Sequence, residues 1–327
     1  MVTIKELAKR AGVSPTTVSN VLHGKTGELS ATKLAAVQAV IDASGYAPNM
    51  AGRLLAKRGS RIIGVILFYD FRADQNAAAD PFNSELIGAI EAKIRESGYY
   101  MLFRVVKTYK EALAVISSWD IEGTIVFASP MAAAEALLDQ LKIPLVFIDT
   151  FLEQADSRFY NVGLADEEGG RLMGQYLKIQ GKQRVAFLSE DEELNGVDLA
   201  RYKGLCTELA NSVHIFLDHK EEKRHQMLTT LVNKGKYDAL FFASDFYAVD
   251  SLNLLRDLGL HIAIVGFDDN ILARQVRPRL TTIHQEPSGK GFAAMEMLLN
   301  LLKGQKPEVQ NLVLPVKLVI RDSAKNI

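Results

Sequence analysis

Around residue 61 the hydrophobic pattern of the chain changes period, and this change limits the architecture more than any other feature. Before it, apolar residues recur at helical spacing. After it, short apolar runs alternate with helical stretches. The runs are Ile62–Leu67, Tyr99–Val105, Gly123–Ala128, Leu145–Ile148, Arg184–Leu188, Val213–Leu217, Ala239–Ala243 and Ile262–Phe267. Helical stretches between them include Glu85–Ser97, Gly169–Ile179, Leu199–Ala210 and Phe246–Leu258. Buried runs joined by helical crossovers specify parallel sheets. About a dozen elements exceed one small sheet, so two α/β lobes are expected. A chain of 327 residues should therefore join a small all-α head to a two-lobed α/β body.

The head has its own punctuation. Thr3-Ile4-Lys5-Glu6 has the form of a capping box and starts a helix to about Ala11, with Ile4, Leu7, Ala8 and Ala11 inward. Gly12 permits a sharp turn. Ser14 at the cap and Pro15 at the first helical position start a second helix to about Leu22. It buries Val18, Val21 and Leu22 and turns Thr16, Thr17, Ser19 and Asn20 outward. A third helix, about Ala31 to Ser44, buries Leu34, Val37, Val40 and Ile41 and ends at Gly45. Helix, glycine turn and helix are compatible with a plain bundle. A second helix that is small and polar outside points instead to a helix-turn-helix, able to enter a major groove ~12 Å wide.

Charge supports that reading. Residues 1–60 carry eight Lys and Arg against three Asp and Glu, while the whole chain is at −1, so a basic head precedes an acidic body. Cys206 is the single cysteine, which excludes an internal disulfide and a cysteine-based zinc site. His214, His219 and His225 are read as solvated surface and not as a metal site, since no Cys or acidic ligand pattern accompanies them. The opening Met1-Val2-Thr3-Ile4-Lys5-Glu6 has no apolar signal region, and no apolar run reaches the ~18 residues of a membrane span. A cytoplasmic protein without a membrane partner is expected. The sequence lacks Gly-x-Gly-x-x-Gly, a Gly-Lys-Ser/Thr phosphate loop, Gly-x-Ser-x-Gly and His-Glu-x-x-His, so neither a catalytic residue nor a cofactor is expected.

The run from Thr3 to Leu22, together with Gly45-Tyr46-Ala47-Pro48-Asn49, resembles the head of the lactose-repressor (LacI/GalR) family of transcription regulators. The likeness extends over essentially the whole chain. It implies a DNA-binding domain at 1–46, a hinge at 47–60 and an effector-binding, dimerising core at 61–327. It implies base reading at Pro15, Thr16 and Asn20 and phosphate contacts at Thr17, Ser19 and Asn49, with Thr3, Arg53 and Ala56 as further DNA contacts. Pro15 has no side-chain donor, which leaves at most an apolar contact there, whereas Asn20 can pair with adenine through two hydrogen bonds. Thr32-Lys33 stands where many relatives have Thr-Arg. The segment Asn49 to Arg58 is too short for a stable isolated helix. By resemblance it folds on the operator, pairs with its dimer mate and wedges Leu55 into a minor-groove base step. From composition alone, Leu54-Leu55 reads as linker packing.

The body is similar to periplasmic sugar-binding proteins, which implies a periplasmic-binding-protein-like core with the ligand between two lobes. On that pattern the first lobe is about 61–160 with 290–327, the second about 161–288, and Arg279 to Gln285 the last crossing. Ligands of open α/β sheets bind beyond the carboxyl ends of strands. Asp268, in Gly266-Phe267-Asp268, and Arg201 match the family's effector positions. Asp149 and Asp245 are strand-end candidates that serve equally well as helix caps. Tyr69, Asp70, Phe82 and Phe246 are expected as walls, and Asp166, where relatives have Asp-Asn, is not counted. Carboxylates and an arginine between aromatic walls suit a sugar or sugar derivative. A purine or other metabolite acting as co-repressor is the alternative. A transporter's solute-binding protein is a third reading, which would call for a signal peptide and no basic head. The expected partners are double-stranded operator DNA, a small-molecule effector and a second copy of the chain, because a single short head reads DNA weakly and a palindromic site needs two.

Overall fold

The computed structural model describes residues 2–22, 27, 29–46, 59–69, 76–152 and 156–325. Asn49, Arg53, Leu55, Ala56 and Asp70 lie outside the described residues. The chain divides into two units, Met1–Gly59 and Ser60–Ile327.

The head contains α1 (Ile4–Ala11), α2 (Pro15–Leu22) and α3 (Ala31–Ser44). The capping box closes in both directions: Thr3 N donates to Glu6 Oε2 at 2.8 Å, and Glu6 N donates to Thr3 Oγ1 at 3.3 Å. Gly12 ends α1 at φ +65°, a left-handed conformation that costs a side-chain-bearing residue energy. Thr17 N donates to Ser14 Oγ at 3.1 Å and starts α2. Leu7, Ala8, Val18, Val21, Val37 and Ile41 form a small core. The boundaries expected for all three helices are those observed, since each carries a cap or a glycine stop at both ends or at one.

The body alternates strand and helix: β1 (Ile62–Phe68), a short 3-10 turn (Ala77–Ala79), α4 (Pro81–Glu96), β2 (Tyr100–Val106), α5 (Tyr109–Ser118), β3 (Gly123–Phe127), α6 (Met131–Gln140), β4 (Leu145–Ile148) and β5 (Asn161–Leu164). It continues with α7 (Asp166–Ile179), β6 (Val185–Ser189), α8 (Gly196–Glu208), β7 (Val213–Phe216), α9 (Glu221–Asn233), β8 (Ala239–Phe242), α10 (Asp245–Asp257), β9 (Ala263–Asp268) and α11 (Ile271–Gln275). The last elements are β10 (Thr281–His284), α12 (Pro287–Leu302), β11 (Asn311–Leu314) and β12 (Lys317–Val319). One sheet has the order β11-β5-β4-β3-β1-β2 and the other β12-β10-β9-β8-β6-β7. Every pair is parallel except β10 with β12.

Both sheets are covered on both faces, which explains the unbroken apolar runs. Along β1, Ile63, Val65 and Leu67 meet α4 and α12, while Ile66 and Phe68 meet α5 and α6 on the other side. Along β8, Phe241 faces α7 and α8, and Phe242 faces α9 and α10. No helix among the described residues is long and apolar enough to cross a membrane.

The lobe boundaries differ from expectation at two places. Residues 161–164 pair with β4 and β11 in the first sheet, so that lobe runs past residue 160. Residues 317–319 return to the second sheet on β10, so the C-terminal stretch after 290 is shared between the lobes. The three crossings thus fall at Ala165, near Gln285 and at Pro315-Val316, and 279–285 is the second crossing, not the last. The missed strands are short and interrupted by polar residues, β5 by Asn161 and β12 by Lys317, so neither forms an apolar run.

Helices α7 and α8 touch at backbone distance. A Cβ on Gly170 would lie 1.9 Å from Arg201 O, and one on Gly204 would lie 1.8 Å from Glu167 O. This close crossing seats Arg201 on Asp166, at the start of α7.

Candidate functional site

In the head, α2 presents Pro15, Thr16 and Asn20 on its exposed side, with Thr17 and Ser19 half-buried beside them. Val18 and Val21, turned into the core, hold that face outward. Thr16 and Asn20 are four residues apart and share one stripe of the helix. Thr3 is exposed and committed to its capping box.

In the body, the carboxyl ends of β1, β4, β6, β8 and β9 deliver Tyr69, Asp149, Glu190, Ser244 and Asp268, as the topology of an open α/β sheet requires. Arg201 is buried and fully engaged within the second lobe. Its Nε donates to Asp166 Oδ1 at 2.8 Å, its Nη1 to Ala243 O at 2.7 Å, and its guanidinium stacks 3.7 Å from the centre of the Phe267 ring. Burial alone would push the guanidinium pKa down. The charges of Asp166, Asp198 and Asp268 outweigh that and hold it charged.

Asp268 ends β9 at φ +126°, a conformation that L-residues rarely adopt and that gathers at functional sites. Its Oδ1 accepts from Gln285 Nε2 at 2.5 Å and its Oδ2 from Ser244 Oγ at 3.1 Å. Burial pushes its carboxyl pKa up to about 7, against the pull of Arg201. Asp198, on α8, is also pushed to about 7 by burial, although Arg201 Nη1 lies 3.9 Å away. Asp166 is raised by burial too, with Arg201 opposing.

The first lobe contributes a second ion pair. Lys290, fully buried on α12, donates to Asp149 Oδ2 at 2.6 Å and to Gln285 Oε1 at 3.3 Å, and its Nζ lies 5.0 Å from the centre of the Phe82 ring. A polar chain therefore runs from Asp149 through Lys290 and Gln285 to Asp268, from one lobe to the other. Asp80 caps α4 at Phe82 N, 2.9 Å away, and burial raises its carboxyl pKa. A cavity of about 390 Å³ lies between Tyr69 of the first lobe and Glu190, Asp191, Glu192, Asn195 and His219 of the second. Glu190 Oε1 accepts from Tyr247 Oη and lies 2.8 Å from His219 Nδ1. Burial raises the Tyr69 hydroxyl, and the charges of Glu190 and Asp80 add to it.

Of the residues expected from sequence, Asp149, Phe82 and Asp268 are joined through Lys290 and Gln285, Arg201 acts on Asp268 through its charge, and Tyr69 lines the separate cavity of about 390 Å³. Asp245 joins neither. Its carboxyl is wholly buried, with Oδ1 accepting from Thr282 Oγ1 at 2.6 Å and Oδ2 from Asn270 N at 3.2 Å. It begins α10 and turns inward, so no oxygen is left for a ligand. Phe246 is half-buried and packs edge-to-face on Tyr247, with centroids 5.2 Å apart, at the border of the second lobe's core. The histidines read as solvated surface are each half-buried on a separate partner: His214 on Ser189 Oγ at 3.0 Å, His219 on Glu190, and His225 on Asp250 at 3.1 Å. Asp80, Asp166, Glu190, Asp198, Gln285 and Lys290 were not anticipated. Glu190 obeys the same strand-end rule as Asp268, and Lys290 is a lone charge before a long apolar helical run, so both had a signal.

These buried carboxyls give stability an unusual pH dependence. Unfolded aspartates titrate near ~4. Between there and about 7, native Asp198 and Asp268 hold protons that the unfolded chain has lost. Stability is therefore greatest at the acid side of that window and falls as pH rises to 7, by ~1.4 kcal/mol per proton and pH unit. His214, lowered by burial, opposes this below its unfolded pKa, and Asp238, held at about 2 by Arg184, acts only at the acid extreme. Thermal melts should show a higher Tm at pH 6 than at pH 8, with the difference reduced in Asp268→Asn. Equal or reversed Tm values would contradict the buried protons.

Residues 3–49 match the model of bacterial regulatory proteins of the lacI family, and residues 175–324 match a periplasmic binding protein-like domain. The chain is 28% identical to the HTH-type transcriptional repressor PurR of Edwardsiella ictaluri, over 99% of this chain and 97% of that one. It is 27% identical to the HTH-type transcriptional regulator GalR of Escherichia coli, over 96% and 94%. The lac repressor dimer bound to operator and the anti-inducer ONPF superposes with a TM-score of 0.83 at 25% identity, over 99% of each chain. The transcriptional regulator CelR in complex with cellobiose shares the fold, with a TM-score of 0.71 at 22% identity over 99% and 100%.

Proposed function

Because the chain belongs to the lacI family of bacterial regulatory proteins, we propose that it represses transcription as a homodimer on a palindromic operator, under control of a small molecule taken up between its lobes. The observation that carries the reading is the pairing, in one chain, of a polar reading stripe on α2 with a cleft built from strand ends of two lobes. Thr16 and Asn20 read base edges, and Thr17, Ser19 and Thr3 lie near phosphates. The hinge at 47–60, with Asn49, Arg53, Leu55 and Ala56, completes the DNA contact. Tyr69, Phe82, Asp149, Arg201 and Asp268 hold the effector.

Control follows from two-state linkage. The ligand stabilises whichever arrangement of the lobes it fits, and operator affinity shifts by the same coupling free energy in return. The polar chain through Lys290 and Gln285 joins the lobes and is where closure would be sensed. A sugar or sugar derivative remains the leading effector class by resemblance.

The test is selection of operator sites from random duplexes with the full-length protein at stated salt, followed by titration of small molecules into the complex. A palindromic site whose occupancy responds to one compound supports the proposal. Absence of any sequence preference overturns it. Asn20→Ala should weaken binding to the selected site by about 5- to 150-fold, the equivalent of ~1–3 kcal/mol for a bidentate base contact, and relax the preference at one base position in each half-site. An unchanged preference in Asn20→Ala would remove Asn20 from the reading set.

A further inference from the structure

We propose that the second lobe carries a second small-molecule site, beside α9, shaped for a flat ring that bears a phosphate, as in a mononucleotide. A cavity of about 500 Å³, within the range of small-molecule sites, opens along that helix. Lys223, Met227, Thr230 and Lys234 line it from one stripe, at spacings of four and three residues, which ends at the helix cap. Gly235, at φ +60°, then turns the chain so that Lys236 and Tyr237 join the lining. Among the described residues, none is shared with the cavity between Tyr69 and Glu190, so the site is separate from the cleft.

The lining has two characters. Met227, Leu231 and Tyr237 are half-buried against the second lobe's core and give an apolar floor on which a ring can lie. Lys223, Lys234 and Lys236 are exposed around it, and no acid lines the cavity among the described residues. The acids nearby in the chain are engaged. Asp218 lies 3.8 Å from Lys223 Nζ and accepts from Lys220 N at 2.8 Å, and Asp238, next to Tyr237, is held by Arg184 at 2.6 Å. Lys234 and Lys236 have no acidic partner among the described residues, and Lys236 Nζ lies instead 5.4 Å from the centre of the Tyr237 ring. Three ammonium groups on an otherwise acidic body attract a multiply charged anion, and lysines hold a phosphate as point charges. The Gln226 amide offers both a donor and an acceptor to the edge of a base. Inorganic phosphate would leave the apolar floor in water, and an uncharged ring would gain nothing from the three cations. The carbonyl end of α9 would oppose an anion, but the carbonyls of Thr230 and Val232 accept from the N–H groups of Lys234 and Gly235 at 3.2 and 3.0 Å.

The experiment is calorimetric titration of the full-length protein with adenosine 5′-monophosphate, adenosine and inorganic phosphate, at low and at high salt. The expected result is that the nucleotide binds at least tenfold more tightly than either fragment and loses affinity as salt rises. Lys234→Gln together with Lys236→Gln, and separately Thr230→Glu, should each weaken nucleotide binding tenfold or more. All three positions are exposed, so both variants should melt where the parent chain does. Asp268→Asn, in the cleft, should leave nucleotide binding unchanged. Failure of the nucleotide to bind overturns the proposal, and so does adenosine binding as tightly as the nucleotide. Binding that is lost in Asp268→Asn and kept in the lysine variant would place the nucleotide in the cleft, which removes the second site and leaves the cleft reading intact. A lysine variant that sediments differently from the parent without ligand would make this face a contact between copies of the chain and also overturn the proposal.

Discussion

Gly170→Ala should destabilise the second lobe by about 3 kcal/mol or more, at the upper end of what overpacking costs. The reason is geometric. The added carbon would lie 1.9 Å from the carbonyl oxygen of Arg201, and the obstacle is backbone, which has no rotamer to escape into. Either α7 and α8 separate, exposing Met173, Leu177 and Leu205, or the start of α7 unwinds. Gly88→Ala on α4 is the matched control, since nothing lies within 4 Å of a Cβ there. That change should be neutral or stabilising by up to ~1 kcal/mol, the ordinary preference of a helix for Ala over Gly. Urea unfolding of the two variants beside the parent chain measures both effects. A Gly170→Ala protein as stable as the parent would mean that the two helices are not packed at backbone distance.

Arg201→Met should cost about 3–5 kcal/mol, because it leaves Asp166 buried without the cation that balances it. It should also abolish the response to effector while leaving operator binding in place at low temperature, since the head has its own core. Stability and ligand recognition can then be separated. Replacing the pair together, in Arg201→Met with Asp166→Leu, removes the uncompensated charge and should recover much of the lost stability. The effector response should stay lost. If the double variant regained both stability and effector response, Arg201 would be a structural group alone. Melting curves and operator titration with and without ligand distinguish the outcomes.

Much of the molecule is legible before any coordinates. In the head, Thr3 with Glu6, Gly12, Ser14-Pro15 and Gly45 are local signals whose physics acts within a few residues, and each of the three helices begins or ends where one of them stands. In the body, strands of five or more residues buried on both faces write themselves as apolar runs. The elements that escaped are β5, β10, β11 and β12, each three or four residues long. Each carries polar residues that break an apolar run (Asn161, Thr281 and Thr282, Asn311, Lys317), whereas the equally short β4 and β8 are apolar throughout, so the place of the missed strands is set by neighbours in the sheet.

The candidate site divides in the same way. Asp149, Arg201 and Asp268 are found by strand-end position and motif, because fold topology brings strand ends to one side whatever the side chains are. Which of them can meet a ligand is a matter of side-chain direction. Asp245 and Asp268 both stand at strand ends, yet one turns under its neighbour and the other accepts from Gln285, which follows the adjoining strand β10 and in turn accepts from Lys290 of the first lobe. Lys290 lies in an apolar helix 141 residues from its partner Asp149. The sequence by itself determined that a basic helix-turn-helix head precedes a parallel α/β body, because capping, hydrophobic period and charge are carried by neighbouring residues. Only the tertiary structure decided where the lobes divide and which carboxyls share the cleft, because burial and charge balance there are made by groups that folding, and not sequence proximity, brings together.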